Sequence, residues 1–350
     1  MKNKPRVLVV STSRKTRGGI TAVLKAYEST KMWKDYHCRW IETHRDSNTI
    51  VKFCYFISAL VEFTAIAPFY DIVHLHFSLD GTARRKKHFM RLAKFYGKKT
   101  IIHLHCGTQI HDIWDNNYDY LFRSCDKAIL LSKSLQTMVE EHTGITDKYE
   151  VVYNPCLSEL KSINLRDRKK EILFAGTLYE GKGYRDLIRA FGRIAHNYSD
   201  WSVVLAGNGE MNLGKQIAKE LNIENQVKFL GWVAEDEKDK VFKEASIFCL
   251  PSYAEGFPMA VLDAFSYGLP VLSTPVGGIP DVAVNGKNML LFDPGDIDAL
   301  AEKLKQLISD RELQFNMCAE SQLMAATTFN LSNIIKQLAS IYDNVATNNH

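Results

Sequence analysis

Short apolar runs alternate with amphipathic stretches through the first half of the chain: RVLVVSTS (6–13), CRWIET (38–43), DIVHLHFS (71–78), KTIIHLHCG (99–107), KAILLSK (127–133) and YEVVYNP (149–155). Continuous apolar strands separated by helical patterns predict a parallel sheet covered on both faces. The stretch 156–171, CLSELKSINLRDRKKE, is polar, lacks a strand pattern and reads as a linker. The alternation then restarts with EILFAGTL (171–178), WSVVLAG (201–207), VKFLGW (227–232), ASIFCLPS (245–252), PVLSTPV (270–276) and MLLFD (289–293), and helical patterns follow. The prediction is an α/β chain of two doubly wound domains, 1–160 and 170–330, with a helix over 331–350 packing back toward the N-terminal domain. In such folds ligands sit beyond the carboxyl ends of the strands where the strand order reverses, and two facing sheets would enclose a central cleft.

Two stretches depart from this rhythm. VKFCYFISALVEFTAIAPFY, 51–70, is about long enough to span a bilayer, but Lys52 and Glu62 interrupt it and Pro68 ends it. A buried or interfacial helix is expected there. ARRKKHFMRLAKFYGKK, 83–99, carries eight Lys or Arg and no acid, interleaved with Phe89, Met90, Leu92, Phe95 and Tyr96. A helix of that kind suits an anionic membrane surface or a phosphate-rich partner, and equally a plain solvated face.

Composition narrows the class. The 350 residues are 46% hydrophobic and 24% charged, as in a soluble protein with a large core, and the net charge of +4 gives no reason to expect a nucleic-acid partner. Seven scattered cysteines without a CxxC pair fit free thiols in a reducing cytoplasm, not a disulfide framework or zinc cluster. The opening MKNKPRVLVVSTS reads as a first buried strand, not a signal peptide.

The loops after the strands carry the chemistry. Gly18 and Gly19 precede a helix, whose N-terminus offers unpaired N–H groups to an anion; the spacing is neither GxGxxG nor a P-loop. Lys182 lies between Gly181 and Gly183 after a strand, placed to neutralise a diphosphate or, more plainly, a solvated turn lysine. LAGNGEM (205–211), with Gly207, and FLGW (229–232), with Trp232, end two further strands. In SYAEGFPMAVLDAFSYGLPV (252–271), Glu255 precedes a helix that Pro258 opens, and Asp263 follows five residues later, about 7.5 Å along the axis. Two carboxylates so placed could grip distant hydroxyls of one ligand. The plainer alternatives are a helix-dipole contact for Glu255 and a solvated position for Asp263.

These segments, with GKGYRDLIRAF, LAGNGE, FLGW and the N-terminal GGI, resemble the donor-binding signature of the family 4 retaining nucleotide-sugar glycosyltransferases. The resemblance is close over 171–296 and looser before it. It implies the GT-B fold: two Rossmann-like domains around a cleft, the first binding an acceptor and the second a nucleotide-sugar donor. By resemblance Glu255 contacts the donor sugar, and backbone amides at Gly256, Phe257 and beside Pro258 line the sugar pocket. Asp263 holds the ribose, Lys182 and the Gly18–Gly19 turn meet the diphosphate, and His105 lies near the reacting sugar. Thr177, Gly207 and Trp232 belong to the donor site. Two positions depart from the family pattern: Asp263 stands where Glu is usual, and Thr177 where Arg is frequent, so one bidentate phosphate contact is missing. Lys182, the helix amides and Arg185 are the available compensation.

The implied reaction is retaining transfer from a nucleotide-diphosphate sugar, UDP by default, to a saccharide or lipid-linked acceptor in cell-surface polysaccharide, lipopolysaccharide or glycolipid synthesis. No cofactor and no metal are expected. The catalytic residues are His105, Lys182 and Glu255. The alternatives are a catalytically silent donor-binding partner subunit at the membrane and a nucleotide-sugar epimerase on the same fold. The expected location is the cytoplasm, peripheral on the inner face of the cytoplasmic membrane, held there through 83–99. DID at 296–298 is read as a helix cap, not a metal motif. The pairs His74/His76 and His103/His105 would put four imidazoles on one sheet face within reach of a zinc ion; buried or cleft-lining histidines are the reading adopted.

Overall fold

The computed structural model describes residues 4–45, 47–79, 82–160, 168–233 and 235–347. The strands are β1 (Val7–Ser11), β2 (Arg39–Glu42), β3 (Ile72–Phe77), β4 (Lys99–Leu104), β5 (Lys127–Leu130), β6 (Tyr149–Val151), β7 (Glu171–Ala175), β8 (Ser202–Ala206), β9 (Val227–Gly231), β10 (Ile247–Leu250), β11 (Val271–Ser273) and β12 (Leu290–Leu291). The helices are α1 (Gly19–Glu28), α2 (Lys31–Asp35), α3 (Thr49–Ile66), α4 (Thr82–Phe95), α5 (Asn116–Ser124), α6 (Lys133–Thr143), α7 (Tyr184–Ile194), α8 (Met211–Glu220), α9 (Glu235–Glu244), α10 (Met259–Ser266), α11 (Ile297–Ser309), α12 (Arg311–Ala326) and α13 (Leu331–Thr347). Each of the twelve apolar runs contains a strand, trimmed at its polar ends.

The chain divides into two units, residues 1–155 with 331–350, and residues 156–330. The first holds a parallel sheet in the order β2-β1-β3-β4-β5-β6; the second holds a parallel sheet in the order β12-β11-β10-β7-β8-β9. Strands β1, β3 and β10 are buried along their whole length, as sheets covered by helices on both faces require. In the first unit Leu8, Val10, Val73, Leu75, Phe77, Ile102 and Leu104 pack with Phe63 of α3, Phe89 and Met90 of α4 and Phe122 of α5. Their sequence neighbours, the histidines of β3 and β4, face the other side of that sheet. There α13 contacts β3, and the Tyr342 hydroxyl meets His74.

Local chemistry sets the helix ends. Asp115, Ser132, Asp296 and Asp310 each accept a first-turn N–H at the start of α5, α6, α11 and α12, and Gly144 closes α6 in the left-handed region. The Asp296 carboxylate takes the Ala299 N–H at 2.9 Å, the capping role expected of DID.

Of the two readings of 51–70, a buried or an interfacial helix, the buried one does not hold: in helix α3 Ala59 and Phe63 are buried, while Ile50, Phe53 and Val61 are 75%, 63% and 67% exposed. With the 3-10 turn that follows, Thr49–Phe69 is long and apolar enough to cross a membrane. Its buried stripe covers the first unit's sheet and α4, and Phe56, Leu60 and Ile66 pack partly against the same core. Cys54 is likewise exposed on this helix, unlike the buried Cys106, Cys125, Cys156, Cys249 and Cys318. The linker residues 161–167 lie outside the described residues; before them Cys156 and Ser158 already pack on α10.

Candidate functional site

In the second unit the strand order reverses between β7 and β10: β8 and β9 extend the sheet on one side of β7, and β10 and β11 on the other. The loops that follow β7 and β10 therefore flank the position at which open α/β sheets bind ligands. The first carries Lys182 at the end of a 3-10 turn, Glu180–Lys182, and Gly183 then starts α7 with φ 69°. A Cβ on Gly183 would fall 1.9 Å from the Pro251 carbonyl oxygen, so only glycine lets the two loops meet.

Across this junction Lys182 Nζ lies 2.5 Å from Glu255 Oε1, and the Ser252 hydroxyl donates to the same oxygen at 2.7 Å. Glu255 is buried. Its loop is clamped from behind, where Gly278 N donates to Gly256 O at 2.7 Å and Thr274 Oγ1 donates to Ser252 O. Gly277 has φ 59°, and a Cβ there would lie 2.3 Å from the carbonyl oxygens of Glu255 and Gly256. Phe257 is buried with its ring centroid 4.9 Å from that of Phe329. Pro258 is the N-cap of α10, which has no side-chain cap, so the first amides of α10 follow directly on the loop that holds Glu255.

Asp263 is placed differently from expectation. It is 6% exposed on α10, with Oδ2 2.6 Å from Lys238 Nζ of α9 and Oδ1 accepting from Ser158 Oγ at 3.1 Å. It is not a solvated helix position, and a ribose would have to replace these partners to reach it. Arg185 does not point freely toward a phosphate. Its Nη2 is 2.6 Å from Glu210 Oε2, and hydrogen bonds to Glu210 and Tyr184 raise its pKa further. Thr177 is exposed; Gly207 packs beneath the Gly176 carbonyl; Trp232 is exposed just past β9, two strands from β7. Lys182, Glu255, Gly256, Phe257 and Pro258 thus share two adjoining loops, while Trp232 stands further along the sheet edge.

Gly18, Gly19 and His105 belong to the first unit. Gly18 starts α1 with φ 135°; the helix has no side-chain cap and no acid in its first turn, so its N-terminal amides are uncompensated. His105, partly exposed just past β4, shares a 2.9 Å hydrogen bond between its Nε2 and His76 Nδ1. His74 Nδ1 lies 2.8 Å from the Tyr342 hydroxyl. Burial pushes His105 down to about 3, and burial with the neighbouring His105 does the same to His74, so these imidazoles are neutral. Lys86 of α4 is buried, with Nζ 2.8 Å from Thr43 Oγ1, and burial holds its pKa well below the usual lysine range. Sequence reasoning missed Lys238, Ser158, Ser252, Tyr342 and Lys86. Only Ser252, three residues before Glu255, stood close enough in sequence to be suspected.

Comparison with known proteins follows this division. Residues 158–323 match the family described as "Glycosyl transferases group 1". An uncharacterized glycosyltransferase of Haemophilus influenzae is 29% identical over 221 residues, 62% of this chain and 61% of that protein. One from Methanocaldococcus jannaschii is 27% identical over 297 residues, covering 78% and 75% of the two chains. Among solved structures, Anabaena Alr3699/HepE in complex with UDP superposes with a TM-score of 0.79 at 19% identity, over 97% of this chain and 100% of that one. A second structure of the Anabaena protein holds UDP-glucose. The fold is GT-B.

Proposed function

From the match of residues 158–323 to the group 1 glycosyltransferases, we propose that this chain transfers a sugar from a UDP-sugar to a saccharide or lipid-linked acceptor, as a retaining, family 4 enzyme of cell-surface polysaccharide or glycolipid synthesis. The observation that carries this reading is the Lys182–Glu255 pair at the reversal of the second sheet. Glycosyl transfer separates charge: the sugar becomes cationic and the departing diphosphate anionic. A preorganised cation aimed at the diphosphate lowers that barrier most. Lys182 is held by Glu255 in the free protein; a bound diphosphate would draw the ammonium to itself and release the carboxylate for the sugar hydroxyls. The α10 amides beside Glu255, which no side chain caps, supply further donors. His105 of the first unit is neutral and hydrogen-bonded to His76. Retention would follow from attack on the leaving-group face, with a phosphate oxygen taking the acceptor proton and no metal in the step.

UDP is favoured because the Anabaena protein of the same fold is seen with UDP and with UDP-glucose. Attachment to the cytoplasmic face of the membrane is supported by α3 and α4 together. Phe56 of α3 packs edge-on against His88 of α4, so the exposed apolar residues of α3 adjoin the exposed Arg84, Arg91 and Lys94 and the 81%-exposed Phe95. Apolar side chains beside a basic strip suit the boundary of an anionic bilayer.

One observation favours a second reading, a donor-binding subunit without turnover: Asp263 is occupied by Lys238 and Ser158, and Thr177 supplies no second phosphate cation. A panel of radiolabelled UDP- and GDP-sugars with bacterial lipid extract separates the two. Label in the lipid fraction supports transfer. Saturable donor binding with no product under any condition supports the silent subunit.

A further inference from the structure

The histidines of β3 and β4 present an unfinished coordination sphere. His74 and His76 alternate along β3, and His103 is the register partner of His76 on β4, so all three imidazoles project from one sheet face. Their rings crowd together, with centroids 4.1 Å apart for His74 and His76, 4.9 Å for His76 and His103, and 5.6 Å for His74 and His103. All three side chains are buried. One nitrogen from each falls within 4.8 Å of the other two.

The hydrogen bonds divide these nitrogens into held and bare. His74 is held at Nδ1 by the Tyr342 hydroxyl and His76 at Nδ1 by His105, while Nε2 of both is buried without a partner. His103 has no partner at either ring nitrogen. Buried polar atoms are ordinarily hydrogen-bonded because leaving one unpaired is costly, so four such atoms in one place call for an explanation. One held nitrogen and one bare nitrogen on the same ring is the arrangement of a metal-ligating histidine, in which the outer hydrogen bond fixes tautomer and ring orientation. Neutral imidazoles are also the form that ligates.

We propose that His74 Nε2, His76 Nε2 and one ring nitrogen of His103 bind a zinc-class divalent transition-metal ion. Three imidazoles without a thiolate or carboxylate suit ions of this class and disfavour magnesium or calcium, which prefer oxygen. Tetrahedral ligation at Zn–N distances of 2.0–2.1 Å sets neighbouring nitrogens about 3.3 Å apart. From the 4.8 Å limit, the widest pair closes by about 0.8 Å on each side through small ring rotations. The ligands are neutral, so the fourth position suits an anion such as hydroxide. The ion would tie β3 to β4 and bear on His105 through the His76 Nδ1 hydrogen bond. This inference stands apart from the glycosyl-transfer reading, because its readout is bound metal.

The experiment uses the full chain without an affinity tag, since a polyhistidine tail would itself bind metal. The protein is dialysed and its metal content measured by mass spectrometry; chelator-treated protein is then titrated with cobalt(II) and followed by visible absorption. The expected result is about one zinc-class ion per chain and the intense visible bands of four-coordinate cobalt. His76→Gln and His103→Gln should each weaken metal affinity about 10-fold or more, while exposed-helix variant Lys52→Gln retains it. Circular dichroism identifies any variant that fails to fold, and the wild-type titration decides the matter without variants. Folded wild-type protein with only trace metal and no cobalt spectrum overturns the proposal, as does a high-resolution crystal structure of metal-supplied protein with water on these nitrogens.

Discussion

The Lys182 ammonium stands 2.5 Å from the Glu255 carboxylate, joining the loops that follow β7 and β10. In the proposed reading the two side chains restrain each other until a donor diphosphate draws Lys182 away and frees Glu255. Lys182→Ala is therefore expected to lower kcat/KM about 10²- to 10³-fold, with partial recovery in Lys182→Arg. Glu255→Ala should come close to abolishing transfer. Steady-state UDP release under saturating acceptor checks both. Unchanged kcat/KM in Lys182→Ala would remove the ion pair from the mechanism.

Asp263 and Lys238 give a second test. If a ribose hydroxyl replaces Lys238 on Asp263, then Lys238→Ala removes a competitor and tightens UDP binding in calorimetry. Asp263→Glu should keep or improve donor affinity. Asp263→Ala strands Lys238, which is over a third exposed, so the expected destabilisation is only about 1–2 kcal/mol. Weaker UDP binding by Lys238→Ala would make the pair purely structural.

Gly277 should tolerate no side chain. Gly277→Ala combines a left-handed backbone with a Cβ 2.3 Å from two carbonyl oxygens, and it should both unfold earlier and displace the Glu255 loop. Gly286 has φ 83° but open space around it. Gly286→Ala should thus lose only about 1–2 kcal/mol from backbone strain and leave UDP binding intact. Paired thermal melts and UDP titrations distinguish strain from collision.

Lys86 predicts a pH dependence. Its folded pKa is depressed by burial, so between that value and the ordinary lysine pKa the unfolded chain binds a proton that the folded chain does not. Stability therefore rises with pH across this window, by about 1.4 kcal/mol per unit from this one group, and is lost as pH falls toward the folded pKa. Lys86→Met should be more stable at pH 7 than the parent and should lack that slope. Denaturant melts of both at pH 7 and pH 10 read the difference; parallel pH profiles would show that Lys86 keeps its charge when folded.

Vesicle sedimentation tests the α3–α4 surface. Binding to anionic vesicles should fall with salt and with Arg84→Glu/Arg91→Glu, and should persist at low salt but weaken in Phe53→Ser/Val61→Ser. Equal binding to neutral and anionic vesicles would leave the basic strip without a role.

The strands were legible because a parallel sheet buried on both faces writes itself as uninterrupted apolar runs; even β12, two residues long, lay inside MLLFD. Lys182 and Glu255 were legible because each sits in a glycine-marked loop beside a strand end. Partners from distant elements were not. Nothing local to Lys238 says that it reaches Asp263, and nothing local to Tyr342 says that it meets His74, since both contacts depend on how helices land on sheets. Whether α3 is buried or interfacial was left open for a related reason: apolar composition reports a preference for leaving water, not which surface satisfies it.

The first unit closes only with α13, whose Tyr342 hydroxyl holds His74. During vectorial synthesis the whole second unit emerges from the ribosome before that hydroxyl exists, so the His74 side of β3 lacks its α13 cover while the second unit can already fold. Nascent chains released before residue 331 should therefore carry a finished second unit and an incomplete first one.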